Sequence, residues 1–152
     1  MNLYLAGPVI AALLALIFAV VKFASIMRQD AGTELMQAIS RKVQEGAAAF
    51  LNAEYRWLAV FVVVVAAAIA FSSSENGLGP KTAIAFVCGA LASGVAGYFG
   101  MHTATRAAVR TTQAARTSMM AALGVSFSSG VVMGMSVVGL ALLGVTAFTW
   151  IY

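Results

Sequence analysis

Residues 97–116 read Gly-Tyr-Phe-Gly-Met-His-Thr-Ala-Thr-Arg-Ala-Ala-Val-Arg-Thr-Thr-Gln-Ala-Ala-Arg, and this stretch decides the fold. It follows an apolar run and has no Gly or Pro after Gly100, so nothing in it ends a helix. Arg106, Arg110 and Gln113 recur at helical intervals and share one side, while alanines fill much of the remaining surface. The pattern predicts a membrane helix that continues into water.

The composition places the whole chain in the membrane. Of its 152 residues, 62% are hydrophobic and only 9% are charged, which is more apolar surface than a small soluble core can hide. The net charge of +4 is typical of basic residues beside membrane spans and does not indicate nucleic-acid binding. The predicted fold class is therefore all-α, a polytopic membrane protein.

Four transmembrane helices are predicted, since an apolar stretch of roughly 20 residues crosses a bilayer. The predicted spans are residues 3–27, 50–74, 82–101 and 127–150, within a single transmembrane region that covers residues 1–152. Two extensions, residues 28–49 and 102–126, join the first span to the second and the third to the fourth. A cleaved signal peptide is the competing interpretation of the first span, but the chain starts without basic residues and the apolar run is too long.

The segment after the first span is predicted to turn and then to start a helix. Thr33 is placed to cap this helix, and Glu34 lies in its first turn, where the helix dipole favours an acid. Apolar residues then recur at helical spacing opposite Arg41, Lys42 and Glu45. The second helix is therefore predicted to be one rod, amphipathic first and wholly apolar afterwards.

Glu54 and Arg56 precede the most apolar part of this second helix and allow two interpretations. In the favoured one, Tyr55 and Trp57 mark the interfacial aromatic belt, and the two charges lie among the lipid headgroups. In the other, both charges are buried, need partners and become candidates for a functional site.

Small residues are concentrated in the third and fourth spans. Their intervals of three and four in the third span allow close helix packing in lipid, so this span is predicted to be buried among other helices. The fourth span carries a Gly-xxx-Gly pair, Gly130 and Gly134, which says little about the identity of a partner. Residues 72–81 are predicted to form a turn, with Pro80 in the first turn of the third helix.

The distribution of basic residues predicts the orientation. Lys22, Arg28, Arg41 and Lys42 lie between the first two spans and three arginines between the last two, against Lys81 alone in the remaining turn. Because cytoplasmic segments carry the excess of Lys and Arg, both termini are predicted to lie outside, with both extensions in the cytoplasm.

The chain offers little for catalysis. It has five acidic residues and none after Glu75, whereas metal-assisted phosphate chemistry needs several carboxylates around a cation. His102 is interpreted as an interfacial or packing residue, and Cys88 as a small packing residue. Arg106 and Arg110 could bind phosphate or lipid headgroups, or could form a solvated face paired with acids. No catalytic, cofactor-binding or metal-binding residue is assigned.

Three segments resemble the membrane-bound inorganic pyrophosphatases, the pyrophosphate-driven proton or sodium pumps. Residues 96–116 resemble a family signature, residues 45–55 (Glu-Gly-Ala-Ala-Ala-Phe-Leu-Asn-Ala-Glu-Tyr) the second-helix motif, and residues 132–144 (Val-Met-Gly-Met-Ser-Val-Val-Gly-Leu-Ala-Leu-Leu-Gly) the fourth. His102 stands where the family usually has Lys, and Ala108 where it usually has Asn. These departures leave the resemblance intact but do not support a special role for this helix face.

The resemblance implies properties that extend beyond this chain. Family members are homodimers with many more spans per subunit, and they couple pyrophosphate hydrolysis to transport of H⁺ or Na⁺. The resemblance implies that aspartates, lysines and a glutamate after the fourth span hold Mg²⁺ and pyrophosphate. It also implies that the first four helices belong to an outer ring. No such motif has a matching position here. The chain is therefore expected to be an N-terminal fragment, inactive alone, whose partners are the bilayer and the remaining helices of the pump.

A rival hypothesis is that this chain functions without any further helices of a pump. In that case the chain is a self-contained four-helix membrane protein, either an assembly subunit or a small transporter.

The expected location is a prokaryotic plasma membrane, because only a short segment precedes the first span.

Overall fold

The computed structural model describes residues 3–72 and 79–151, without the side chains of residues 3–5. It consists of four α-helices: α1 (Leu3–Met27), α2 (Glu34–Phe71), α3 (Pro80–Ala115) and α4 (Met119–Ile151). All four helices are long and apolar enough to cross a membrane. The prediction of an all-α protein with four membrane-spanning helices is confirmed.

Three of the helices continue through the predicted span boundaries. α2 begins at Glu34 and runs unbroken, so its amphipathic part and its apolar part form one rod, as predicted. α3 starts with Pro80 in its first turn and extends past its apolar part to Ala115, because alanine-rich sequence without a breaker favours helix. Residues 116–118 separate it from α4. We call the side where α1 and α3 end, and where α2 and α4 begin, the polar end.

The turn between α1 and α2 is held by short-range hydrogen bonds. Thr33 is the N-cap of α2, and its Oγ1 accepts a hydrogen bond from the backbone N–H of Met36 (3.4 Å). Gly32 has a φ of +76°, which glycine adopts without strain, and its N–H donates to Oδ1 of Asp30 (2.9 Å). The predicted turn and cap are therefore confirmed. Most of the other predicted turn, residues 73–78, lies outside the described residues.

The helices pack in series. α3 lies between α2 and α4, α4 lies between α3 and α1, and α1 touches α3 in a few places. Within residues 3–72 and 79–151, α2 contacts neither α1 nor α4. A gap therefore separates α1 from α2 over the surface of α3.

Small side chains form the seam between α1 and α4. A Cβ atom on Gly139 would lie 2.7 Å from Cγ of Leu16 and 3.2 Å from the carbonyl oxygen of Ala12, so the two backbones approach closely only because glycine has no side chain. A Cβ atom on Gly130 or Gly134 would meet no described atom within 4 Å. The buried face of α4 is instead lined by Ala122, Val125, Ser129, Val132, Ser136, Gly139 and Thr146.

Much of the apolar surface remains uncovered. Leu14, Phe61 and Trp57 are 61%, 60% and 76% exposed, and the most apolar part of α2 contains no buried residue. α3 is flanked by helices on two sides, as predicted for a packed span, but Leu91 is still 65% exposed. Surface of this kind requires lipid or further helices to cover it.

Cys88, which the sequence predicts to be a small packing residue, is not packed within the described helices. Its side chain is exposed and borders an apolar groove of about 830 Å³ between α3 and α4. Small residues on both helices, among them Ala92 and Gly144, leave this groove open.

Candidate functional site

The polar side of α3 meets the other helices at the polar end. Of the three residues predicted to share this side, Arg110 and Gln113 reach across to the end of α1 and to the turn that follows it. Arg106 stays on the surface of α3. Residues on this side of α3 therefore differ in what they bind: Arg110 and Gln113 bind α1 and the turn that follows it, whereas Arg106 binds α3 itself.

Arg110 closes the C-terminal end of α1. Its Nη2 donates a hydrogen bond to the carbonyl oxygen of Met27 (3.3 Å), the last residue of α1, and its Nε donates to that of Gln29 (3.2 Å). Its Nη1 donates to the carbonyl oxygen of Arg106 in α3 (2.8 Å). The last carbonyl groups of a helix lack partners within it and carry partial negative charge, which favours a guanidinium there. Arg110 thus joins α3 to α1.

Gln113 extends this contact to the turn between α1 and α2. Its Nε2 donates to Oδ2 of Asp30 (2.9 Å), while Oδ1 of the same carboxylate accepts from the N–H of Gly32. The acid at this position is therefore held by two amides. In the described part of the chain, neither Arg106 nor Arg110 forms an ion pair with a carboxylate. Within the described residues, the two arginines therefore bind backbone carbonyl groups instead of acids.

Arg106 and His102 lie one helical turn apart on α3. Nη1 of Arg106 donates to the carbonyl oxygen of His102 (3.3 Å), and its other donors have no hydrogen bond to a described residue. The half-buried ring of His102 lies 6.1 Å from the ring of Phe23 in α1 and 5.7 Å from that of Tyr98. The interpretation of His102 as a packing residue is confirmed.

Tyr55 contacts the neighbouring helix. Its hydroxyl donates to the carbonyl oxygen of Gly94 in α3 (2.6 Å), so Tyr55 forms a helix–helix contact, which the sequence did not predict. Glu54 and Arg56, on either side of it, are exposed on the surface of the described helices. If residues 82–101 form the third span, the contact with Gly94 places both charges about 10 Å inside its boundary, at 1.5 Å per residue, which favours the alternative that they lie within the bilayer and need partners.

The described residues do not form a metal centre. No group of three or more His, Cys, Asp or Glu side chains that could hold a metal ion occurs in residues 3–72 and 79–151. The groove beside Cys88 is lined mainly by apolar side chains. What this arrangement can do chemically is to orient helices through Arg110 and to attract an anion through Arg106.

Comparison with known proteins assigns the family. A profile of the family described as inorganic H⁺ pyrophosphatase matches residues 13–152, nearly the whole chain. The chain belongs to this family. The match to these pyrophosphatases includes the helix that carries Arg106 and Arg110, and it confirms the resemblance found in the sequence.

Relatives in the inorganic pyrophosphatase family include both sodium and proton pumps. A putative K⁺-stimulated pyrophosphate-energized sodium pump of Clostridium tetani is 44% identical over 135 residues, which are 89% of this chain and 19% of the relative. A K⁺-insensitive pyrophosphate-energized proton pump of Moorella thermoacetica is 40% identical over 147 residues, 95% of this chain and 21% of the relative. A K⁺-stimulated pyrophosphate-energized sodium pump of Thermotoga maritima is 43% identical over 134 residues, which are 87% of this chain and 18% of the relative. The chain spans about one-fifth of the length of these relatives.

Proposed function

We propose that this chain supplies the first four helices of a pump that couples hydrolysis of pyrophosphate to transport of H⁺ or Na⁺. The observation that carries the proposal is the family match over residues 13–152, supported by relatives that are pyrophosphate-energized pumps. The four helices act as a scaffold of the outer ring, in which α3 joins α2 to α4 and Arg110 joins α3 to α1. The functional pump is a homodimer.

The hydrolytic site is placed in the part of the pump outside this chain. Magnesium ions need several oxygen ligands, and the described residues bring no three acidic, His or Cys side chains together. Residues 3–72 and 79–151 therefore do not fit a Mg²⁺–pyrophosphate site, and no step of hydrolysis is assigned to them.

A chimera tests this proposal. When this chain replaces the matching helices of the sodium pump of Thermotoga maritima, we expect the membranes to hydrolyse pyrophosphate with Mg²⁺ and to accumulate Na⁺ in inverted vesicles. Residues 1–152 alone are expected to hydrolyse none, because they lack the ligands for the metal. Phosphate release and ²²Na⁺ uptake are the measurements.

The control chimera carries four helices of an unrelated membrane protein at the same place and is expected to be inactive. A chimera that inserts and dimerises but neither hydrolyses nor pumps would contradict the proposal and favour a self-contained assembly subunit or transporter. Turnover by residues 1–152 alone would show that the hydrolytic site is misplaced.

The orientation in the membrane is a further part of the proposal. We expect the polar end to lie in the cytoplasm of a prokaryotic plasma membrane and both termini outside, because the basic residues of α1–α2 and α3–α4 gather at that end. Alkaline phosphatase, which is active only after export, should be active when fused after residue 152 and inactive when fused after Thr117. A fluorescent protein that folds only in the cytoplasm serves as the reciprocal control, and the reverse pattern would contradict the orientation.

A further inference from the structure

A small groove lies at the polar end, between α2 and α3. Its volume is about 160 Å³, and α2 and α3 both contribute to its walls. None of the residues that line it is acidic. Those that matter here are Gln44 and Leu51 of α2 and Tyr98, His102 and Arg106 of α3.

The groove contains a cationic group that has no anionic partner among the described residues. Arg106 is half-buried as a whole residue, and its guanidinium donates to a single described carbonyl group, that of His102 in its own helix. The carboxylate of Asp30 is held by Gln113 and Gly32, and that of Glu45 is paired with Lys42 at 3.0 Å. A guanidinium with free donors beside a groove suits a phosphate group, which accepts charge-assisted hydrogen bonds.

The level of the groove along the helices matches the edge of a membrane. On α3 the charge-free run ends at Met101, directly before His102. On α1 the ring that faces His102 belongs to Phe23, and the preceding residue, Lys22, is the only charged residue of that helix. On α2 the exposed pair of Lys42 and Glu45 precedes the groove. α1 and α3 thus change from polar to apolar at one level, as helices do at lipid headgroups, whereas α2 carries two more charges, Glu54 and Arg56, beyond it.

The series packing leaves a route from this groove to the bilayer. α1 and α2 make no contact with each other in the described residues, so the side of α3 between them is only partly covered, and His102 on that side is half-buried beside Phe23 of α1. Phe23, Tyr98 and Leu51 give this opening apolar walls. A soluble phosphate would use the polar part alone, whereas a phospholipid would use the polar part and the walls.

We propose that this groove binds the phosphate of an anionic phospholipid, with Arg106 as its principal ligand. The other polar residues of the groove are Gln44, His102 and Thr105; Nε2 of Gln44 also donates to Oγ of Ser40, and Oγ1 of Thr105 donates to the carbonyl oxygen of Met101. The acyl chains leave through the gap between α1 and α2. Basic pockets between membrane helices bind anionic headgroups in this manner. The site does not depend on the pyrophosphatase function proposed above.

Native mass spectrometry of the purified chain in neutral detergent tests the site. We expect phosphatidylglycerol to bind more tightly than phosphatidylcholine, because only the first carries a net negative charge. Arg106→Gln is expected to weaken phosphatidylglycerol binding about tenfold, since it removes a charge-assisted hydrogen bond. Arg106→Lys keeps the charge but loses the fork of donors and should fall between the two.

The matched control is Arg116→Gln, which removes the same charge at the end of the same helix. Arg116 is exposed, and its only described side-chain contact is a 3.5 Å hydrogen bond to Gln113, so phosphatidylglycerol binding should change less than about twofold. Circular dichroism must show equal helix content in all variants. Salt dependence of binding to the unaltered chain is a second measurement, and binding is expected to weaken as salt is added.

Three results would overturn the inference. The first is equal binding of the two lipids, and the second is an equal loss in Arg106→Gln and Arg116→Gln. The third is binding of inorganic phosphate, with the same dependence on Arg106, when the chain binds no phosphatidylglycerol. That last result would assign the anion to the solution and not to the bilayer.

Discussion

Gly139→Ala is expected to lower the free energy of unfolding of the chain by about 1–3 kcal/mol, the usual cost of overpacking a core. The new Cβ would lie 2.7 Å from Cγ and 2.8 Å from Cδ2 of Leu16, and 3.2 Å from the carbonyl oxygen of Ala12. The two nearest atoms belong to the side chain of Leu16 and the third is a backbone atom, so relief requires Leu16 to leave its rotamer or α1 to move away from α4. Unfolding by sodium dodecyl sulfate titration, followed by far-UV circular dichroism, measures the loss.

The control for this prediction is Gly134→Ala in the same helix. A Cβ atom there meets no described atom within 4 Å, and alanine favours helix over glycine by up to about 1 kcal/mol, so this variant should be neutral or slightly more stable. Leu16→Ala should remove most of the cost of Gly139→Ala in a double-mutant cycle, because the two side chains collide. Equal stability of the two glycine variants would contradict the close approach of α1 and α4.

Arg110→Met is expected to lower the free energy of unfolding by about 2 kcal/mol, within the range for hydrogen bonds to charged groups. Methionine keeps much of the apolar stem but cannot donate to the carbonyl oxygens of Met27 and Gln29, which lie 3.3 and 3.2 Å from the guanidinium. The end of α1 then loses its contact with α3. Amide hydrogen exchange should become faster in residues 27–32, while that in the middle of α4 should change little.

Arg116→Met provides the matched comparison for Arg110→Met. Arg116 is exposed and makes one long side-chain hydrogen bond, so its replacement should change the stability by less than about 0.5 kcal/mol. Arg110→Lys should recover only part of the loss, because a single ammonium group cannot reach both carbonyl oxygens as the guanidinium does. If Arg110→Met leaves both the stability and the exchange of residues 27–32 unchanged, Arg110 does not join α3 to α1.

The features that the sequence predicts well are those set by nearby residues. Thr33 caps α2 through a group three residues away, and Pro80 lies in the first turn of α3, where its missing N–H costs nothing. The continuation of α3 past its apolar part follows from a stretch without a helix breaker. Family membership was also predicted correctly from the sequence, since it depends on the order of side chains along three helices.

The features that the sequence did not predict concern contacts between helices. Tyr55 looked like a belt residue because it precedes Trp57, yet its hydroxyl binds a carbonyl group of α3. Cys88 lies in an apolar run but borders an open groove. Arg110 binds carbonyl groups at the end of α1, whereas one of the alternatives from the sequence paired it with an acid. In each case the periodicity identifies a side of one helix but not the surface that this side meets.

The sequence by itself therefore determined the membrane class, the four helices, most of their ends and the family. These follow from the length of apolar runs against the thickness of a bilayer and from hydrogen bonds within a few residues. Only the tertiary structure decided that α3 lies between α2 and α4, that Gly139 is the close contact of α4 with α1, and that Arg106 is left facing a groove. In lipid, helices associate by the fit of their surfaces, and such fit depends on two helices at once, which a pattern along one of them does not contain.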